Sequence, residues 1–324
     1  MGEPLSVAVV IPSWNSLGYL PRCLDSVRDQ ELELELFVVD NGSGDGSAEY
    51  LESEGIPHVA LPANIGFAAA IDLAVHGVAA DALLVLNADT ELEPGCAGCL
   101  RDALAADPSL GGVQPRILQL EDGAHERSIE NARLYSAGQA LTRDGRAFEQ
   151  GMGEAQGPWS AGRREIFGVC GAACLLRREL FAALGGYDES YFAFYEDVDL
   201  NVRARVAGWR FEYVPEAVAW HAGNASWQAG FERPGADNAR LVARNRLATQ
   251  IKFMPASAVP RIAAAEVGSL LRAARQRRFG ATLGGKLSAL RRLPVLRRER
   301  RRLRAEGNPS NARRWLGASA SASS

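Results

Sequence analysis

The chain has 324 residues, 47% hydrophobic and 23% charged, with a formal net charge of −3; this balance excludes wholesale disorder and suits one large α/β domain with an appendage. Residues 1–5 lack a basic stretch followed by an apolar core, and no run of about 18 apolar residues occurs, so neither a secretory leader nor a membrane-spanning helix is expected. The expected location is cytoplasmic.

Charge is unevenly divided: residues 260–324 hold 16 Lys and Arg against 3 Asp and Glu, net +13, which leaves residues 1–259 with 20 against 36, net −16. A basic tail on an acidic body suits anionic lipid headgroups, nucleic acid or simple solvation. Five cysteines occur as Cys23, the pair Cys96 and Cys99, and the pair Cys170 and Cys174. Zinc sites use two tight knuckles, and the second spacing is too wide for one, so inert packing is expected.

In chain order, residues 7–11 are a near-continuous apolar run closed by Pro12, and Leu17, Leu20, Leu24 and Val27 then repeat at helical spacing. Residues 36–39 form a second run ending at Asp40, followed by a turn-rich stretch over 41–47 and a helix to residue 54. A third strand is expected over 57–61, a third helix over 67–78, and a fourth strand over 83–86 that stops at Asn87-Ala88-Asp89. Strands alternating with helices in this way predict a mostly parallel, doubly wound, Rossmann-like α/β sheet.

A helix over 95–106 and an apolar run around Val113 follow, and the polar, glycine-rich residues 119–163 read as a flexible insertion beside the site. Residues 166–176 read as one buried strand, 178–184 as a short helix ended by Gly185-Gly186, and 195–207 as a helix closed by Gly208. Residues 211–214 and 218–220 look like two final strands, with His221 at the end of the second, and a helix is expected over 239–253. Beyond Pro260 the composition is arginine-rich and helical. The expected division is a catalytic domain over 1–256, a basic helical extension over 257–316 and a disordered tail over 317–324.

A buried strand ending in a carboxylate presents that group at the sheet's carboxyl edge, where open α/β sheets bind ligands. Asp89 there, Asp40 at an earlier strand end and Glu196-Asp197-Val198-Asp199 downstream suggest a nucleotide-sugar site with a divalent cation and a general base. Negative charge builds on a leaving diphosphate as the sugar bond breaks, so a cation belongs against it. Asp89 is the favoured ligand for Mg2+ or Mn2+, Asn87 helps position, and His221 would add a nitrogen that favours manganese. Capping of the next helix is the alternative role for Asp89.

The acceptor hydroxyl needs a base, for which Asp197 is the first candidate and Glu196 the alternate. Both follow the aromatic run Tyr191-Phe192-Ala193-Phe194-Tyr195, whose wall would desolvate a carboxylate and raise its basicity. Stabilisation by the helix dipole explains the acidity there as well. Asp40 could accept hydrogen bonds from a pyrimidine or ribose. Ser13, Trp14 and Asn15 could border the base, although Trp14 could equally be a packed aromatic. Gly66 opens a helix where exposed amides can face a phosphate.

The segments Val9-Val10-Ile11-Pro12-Ser13-Trp14-Asn15, Val38-Val39-Asp40-Asn41-Gly42-Ser43, Asn64-Ile65-Gly66-Phe67 and Leu86-Asn87-Ala88-Asp89 are each weak signals. So are Gly171-Ala172-Ala173, Gly185-Gly186-Tyr187-Asp188-Glu189, Tyr195-Glu196-Asp197-Val198-Asp199-Leu200, His221 with Ser226, and Arg244-Asn245-Arg246. Their order makes the set strong: the chain resembles the family-2 inverting glycosyltransferases with the A-type glycosyltransferase fold, especially bacterial rhamnosyltransferase-like members. That resemblance implies donor contact at Pro12, Trp14, Asn15, Asp40, Asn64, Gly66, Asn87 and Arg244, metal contact at Asp89 and His221, base catalysis at Asp197, and an acceptor side with Gly171, Tyr195 and Asp199. Two departures stand out: Asn87 replaces the usual first Asp of the metal motif, and Asp72 occupies a position often Asn.

No charged residue demands a uronic or phosphorylated sugar, so L-rhamnose from its thymidine diphosphate donor is the first expectation, by family analogy alone. A galactofuranosyl or other deoxyhexosyl donor is the alternative. The acceptor would be a glycan or a lipid-linked sugar in cell-surface polysaccharide synthesis. Arginines 291, 292, 297, 298, 300, 301, 302 and 304 interleave with Leu287, Leu290, Leu293, Leu296 and Leu303, a basic amphipathic pattern that fits an anionic membrane surface at the inner face of the plasma membrane. A solvated helix packed on the body is the competing reading. A nucleotidyltransferase would carry a basic loop after the first strand, and residues 12–18 have no Lys or Arg. A non-catalytic nucleotide-sugar-binding scaffold stays open, as does homo-oligomerisation. Nucleic-acid binding is not expected, since the tail lacks interleaved aromatics.

Overall fold

The structure, a computed structural model, describes residues 4–120, 128–223 and 234–317. Its first part runs β1 (Val7–Ser13), α1 (Leu20–Arg28), β2 (Leu34–Asp40), α2 (Ser47–Ser53), β3 (His58–Ala60), α3 (Phe67–His76), β4 (Ala82–Leu86), β5 (Thr90–Leu92), α4 (Cys96–Ala106) and β6 (Leu110–Gln119). Next come β7 (Leu134–Ser136), β8 (Gln139–Leu141), β9 (Ala147–Glu149), β10 (Arg164–Ile166), β11 (Ala173–Arg177), α5 (Arg178–Leu184), α6 (Glu196–Ala207) and β12 (Arg210–His221). The chain closes with α7 (Pro234–Phe253), α8 (Val259–Arg275), α9 (Phe279–Arg291), α10 (Leu293–Glu306) and α11 (Pro309–Arg313).

The main sheet has the order β10-β12-β6-β11-β4-β1-β2-β3, with β5 added to β12 and β7 to β6. Within that order β1, β2, β3 and β4 pair in parallel, as do β6 and β12, while β11 and β10 run against their neighbours. The sheet is therefore mostly parallel, as expected. Its central strands are apolar almost throughout because helices cover both faces. Val7, Val9, Ile11, Leu84 and Leu86 face one core with α1 and α4. Ala8, Val10, Leu83 and Val85 face the other with α3, α5 and α6. This alternation fixes strand register, since a slip of one residue would turn both cores inside out.

Four expectations need correction. First, residues 119–163 are not a plain flexible loop: outside 121–127, which are not described, they contain β7, the β8–β9 hairpin and a short 3-10 turn at Gly157–Ser160. Strands of three residues carry too little period to read, and Gly145 closes the hairpin at φ +79°, where a side chain would also meet Met254. Second, the apolar stretch over 166–176 is two strands. Between them Val169 bonds Asn201 through both its N–H and its carbonyl, and Cys170 donates to Gln114, so this backbone leaves the ladder. Third, residues 211–214 and 218–220 belong to one strand, β12, with a register shift between Val214 and Val218. Fourth, α1 begins at Leu20 and not Leu17, with proline in its first turn.

The basic segment is helical, as expected, and packs onto the body. Gly285 of α9 lies so close to the Arg240 carbonyl of α7 that a Cβ would stand 2.2 Å from it. Glycine is required there. At the far end the Gly317 N–H donates to the Leu141 carbonyl at 3.0 Å. Residues 318–324, most of the expected disordered tail, lie outside the described residues, as does Ser226. No helix among the described residues is long and apolar enough to cross a membrane.

Candidate active site

A cavity of about 630 Å³ opens at the carboxyl ends of β1 and β4. Its walls include Pro12, Trp14, Asn64, Asn87, Asp89, Gly171, Tyr195, Glu196, Asp197 and His221, so most of the expected site residues converge on one space.

One corner forms where β4 ends. The turn after it is held by Asn87 N–H to the Ala172 carbonyl and Thr90 N–H to the Asn87 carbonyl, both 3.0 Å. It presents Asp89 to the end of β12, where Asp89 Oδ1 lies 3.1 Å from His221 Nε2. The Asn87 amide nitrogen also addresses His221 Nε2, at 3.3 Å, while Asn87 Oδ1 is buried without a partner. Tyr135 packs edge-on against the imidazole, with ring centroids 4.4 Å apart. Since Nε2 has one lone pair or one proton to offer, it cannot satisfy both neighbours. The donor set of one carboxylate, one imidazole and one unpaired amide oxygen fits a divalent cation such as Mn2+ or Mg2+.

The opposite wall carries the carboxylates at the start of α6. Asp197 accepts from Gln139 at 2.7 Å, from the Gly171 N–H at 3.1 Å and from the Val198 N–H at 2.7 Å. Burial raises its proton affinity, and these three donors oppose the rise by stabilising the anion. Glu196 has only its own backbone N–H in support: burial, then the neighbouring Asp197 charge, push its carboxyl well above the usual range, and its Oε2 is buried without a partner. Both carboxyls are thus pushed up by burial, Glu196 further than Asp197, because the hydrogen-bond donors that favour the anion gather on Asp197. The loop before them is strained, with Phe192, Phe194 and Tyr195 at φ between +64° and +72°. Asn245 braces it by donating to the carbonyls of Tyr191, Ala193 and Phe194 at 2.9, 2.8 and 2.7 Å.

Sequence reasoning missed Glu149. It enters from β9, accepts from Ser136 Oγ at 2.5 Å, and shares the Gln139 amide with Asp197, 3.0 Å on its own side. Gln139 is oriented by Asn201, which donates to its Oε1 at 2.8 Å. Burial, then the Asp197 charge, push the Glu149 carboxyl up to about 7. Glu149, Cys170 and Asp197 bring ligand atoms within 4.8 Å of one another and form a second set that could hold a metal. It is the poorer seat, because amides already satisfy both carboxylates and burial opposes ionisation of the Cys170 thiol. The same burial raises the thiols of Cys23, Cys96 and Cys174, and all five cysteines are free.

Five expected residues lie outside the cavity lining. Asp40 is 1% exposed at the end of β2, with Oδ2 accepting from the Ser43 N–H at 3.1 Å and Oδ1 buried without a partner. Ser13, its register partner, has an equally unpartnered Oγ and does line the cavity. Asn15 instead ties two loops together, accepting from the Gly44 N–H at 2.9 Å. The Gly66 amide is spent on Asn64 Oδ1 at 2.8 Å, so it faces no phosphate; its φ of +94° and the contact with Phe192 explain the glycine. Arg244 bonds the Tyr191 carbonyl at 2.6 Å and braces the strained loop beside Asn245. Asp199 is fully buried between Arg203 at 2.6 Å and Lys252 at 2.5 Å, with no face toward an acceptor. Asp72 accepts from the Tyr187 N–H at 3.1 Å and braces the turn at Gly185-Gly186.

Comparison with known proteins bears on this geometry. The family described as glycosyl transferase family 2 matches residues 8–185. Among curated relatives, the N-acetylglucosaminyl-diphospho-decaprenol L-rhamnosyltransferase of Mycobacterium tuberculosis is 30% identical over 239 residues, covering 66% of this chain and 75% of that protein. An N-acetylglucosaminyltransferase of Rhizobium sp. (strain N33) is 28% identical, covering 66% of this chain and 48% of that one. The fold is similar to GalNAc-T7, solved with UDP, GalNAc and Mn2+, at a TM-score of 0.62 and 16% identity, over 82% of this chain and 51% of that one. It is also similar to the mannosyltransferase PcManGT from Pyrobaculum calidifontis, solved with GDP-Man and Mn2+, at a TM-score of 0.51 and 18% identity, over 94% and 86%.

Proposed function

The chain belongs to glycosyl transferase family 2, and from that premise we propose that it is an inverting transferase moving a sugar from a nucleoside diphosphate donor to a hydroxyl of a glycan or lipid-linked acceptor in cell-surface polysaccharide synthesis. The observation that carries this reading is the joint placement of the Asp89, His221 and Asn87 corner and of Asp197 with its three hydrogen-bond donors on the walls of one cavity.

Asp197 takes the proton of the acceptor hydroxyl as that oxygen bonds to the anomeric carbon. The bond from that carbon to the diphosphate oxygen breaks, and its electron pair leaves with the diphosphate. One displacement of this kind inverts the anomeric centre. Glu196, whose carboxyl burial pushes further up and which fewer donors stabilise as an anion, is the weaker candidate for this role. Asp89 and His221, with Asn87, would hold Mg2+ or Mn2+, which when bound neutralises the charge that collects on the leaving group. Ser13 Oγ, which lacks a protein partner, and Trp14 on the same wall suit a nucleoside, with Asp40 behind Ser13 as its register partner.

L-Rhamnose carried on thymidine diphosphate is the first donor, supported by the named activity of the mycobacterial relative. An N-acetylglucosaminyl donor is the second, supported by the rhizobial relatives. Nucleotide release would be followed across a panel of donors with Mg2+, Mn2+ or chelator. Turnover with one donor, lost with chelator, is expected. No donor bound or hydrolysed under any condition would sink the reading.

A further inference from the structure

Helix α8 carries its polarity inside out. Toward the body it turns Glu266, Ser269 and Ala273: Glu266 bonds Arg246 of α7 at 2.9 Å and pairs with Lys286 of α9, while Ser269 and Ala273 are buried. Away from the body it turns Pro260, Ala263, Ala264, Val267, Leu271 and Ala274, all exposed and all within one helical stripe. Val267 and Leu271 are each 58% exposed. A helix that only completes a globular surface has the opposite arrangement, apolar inward and charged outward. Exposed Arg261, Arg272 and Arg275 run along one flank of the stripe, and the turn beyond adds Arg277, Arg278 and a half-exposed Phe279. Helix α9 repeats the pattern more briefly, with Leu287 and Leu290 exposed beside Arg291.

We propose that the outer face of α8 docks in the plane of an anionic lipid bilayer, with Val267 and Leu271 among the acyl chains and Arg261, Arg272 and Arg275 against the headgroup phosphates. Two features select this occupant over a second copy of the chain or a soluble partner. The stripe is one helix wide and flanked by guanidinium groups, which matches an interfacial helix and not the broad apolar core of a dimer. The charge is also partitioned: residues 260–324 carry net +13 and residues 1–259 net −16, so an anionic surface attracts the appendage and repels the body. That polarity orients the molecule.

Orientation has a consequence for the cavity. Helix α7, on which α9 sits at Arg240, also contributes Val242 to the cavity wall. The docked helix α8 is tied to this α7 by Glu266 and Arg246, so bilayer docking would fix the cavity-lining helix relative to a bilayer-anchored acceptor. The consequence for the acceptor rests on the transferase reading; the lipid binding does not.

The test is flotation of the full-length protein with vesicles of phosphatidylcholine, alone or mixed with phosphatidylglycerol. Wild type should float with the mixed vesicles and stay behind with phosphatidylcholine alone. Val267→Asp with Leu271→Asp should lower partitioning at least about tenfold, and so should Arg261→Ala with Arg272→Ala and Arg275→Ala. Circular dichroism confirms folding, and Val267→Ser with Leu271→Ser replaces the Asp pair if that pair unfolds. Because no turnover is measured, failure here leaves the transferase reading standing. The proposal falls if wild type ignores the anionic vesicles, if the folded apolar variant floats as well as wild type, or if that variant only converts a dimer to a monomer.

Discussion

The two walls of the cavity are built by different means. On the strand-end wall, Ser13, Asn87 and Asp89 sit where β1 and β4 stop, and the sheet itself sets their positions. On the base wall, Asp197 depends on a strained loop, a hairpin from the insertion and Asn245 of α7, which are distant in sequence and joined by polar contacts. On the first wall the site residues stand on a frame that the sheet alone holds, whereas on the second the frame is a set of polar contacts behind the carboxylate. A substitution at a strand end changes the site without loosening its frame, whereas one behind Asp197 loosens the frame without touching substrate.

The sharpest test of this division is Asp197→Asn. It keeps the size and removes the proton acceptor, so kcat should fall about 10³-fold with donor binding unchanged, and Tm should drop slightly because the new amide nitrogen faces an N–H from which Asp197 accepts. Glu196→Gln should cost less than about tenfold, because the donors that stabilise a carboxylate anion gather on Asp197; equal losses would erase the distinction drawn between the neighbours. On the strand-end wall, Asp89→Ala should weaken divalent-cation affinity about 10- to 100-fold, read by titrating Mn2+ against nucleotide release, with partial rescue at high cation concentration. If added cation recovers nothing, Asp89 is not a ligand.

The same division explains what could be read from sequence. The strand-end wall was legible because each of its residues closes a contiguous apolar run, and a run that stops at Asp89 declares where the side chain stands. The proposed base was legible only as Asp197 or Glu196, since the choice depends on Gly171, Gln139 and Val198 reaching one of the two. Glu149 was invisible: it lies on a strand of three residues in a stretch whose glycines and polar residues mimic a loop. Asp199 misled because a helix start beside an aromatic run looks the same whether its charges face a cavity or, as here, Lys252, and Arg244 because a mid-helix arginine gives no sign that it serves the Tyr191 carbonyl.

Asn245→Ala tests the frame. It removes an amide whose two N–H groups are shared among three carbonyls of a loop whose Phe192, Phe194 and Tyr195 already hold unfavourable backbone angles. A loss of about 2–3 kcal/mol is expected in denaturant unfolding, with the drop in kcat growing on warming as the loop loosens. Unchanged stability would mean the strained loop is held by other contacts.

The smallest effect is expected at Glu149 and depends on pH. Folding raises this carboxyl from an ordinary 4.5 to about 7, so the folded state binds a proton that the unfolded state has released between those values. The stabilising contribution is complete below 4.5 and is lost as pH rises through 7. For one proton the slope cannot exceed about 1.4 kcal/mol per pH unit, and fractional titration and residual solvent keep it below that limit. Glu149→Gln should flatten this part of the stability profile. It should also remove a few-fold inflection near pH 7 in kcat, because ionised Glu149 adds a negative charge across Gln139 from Asp197 and strengthens the base. A structural brace alone would lower stability equally at every pH and leave the kcat profile in place, so a parallel shift of both curves would reduce Glu149 to packing.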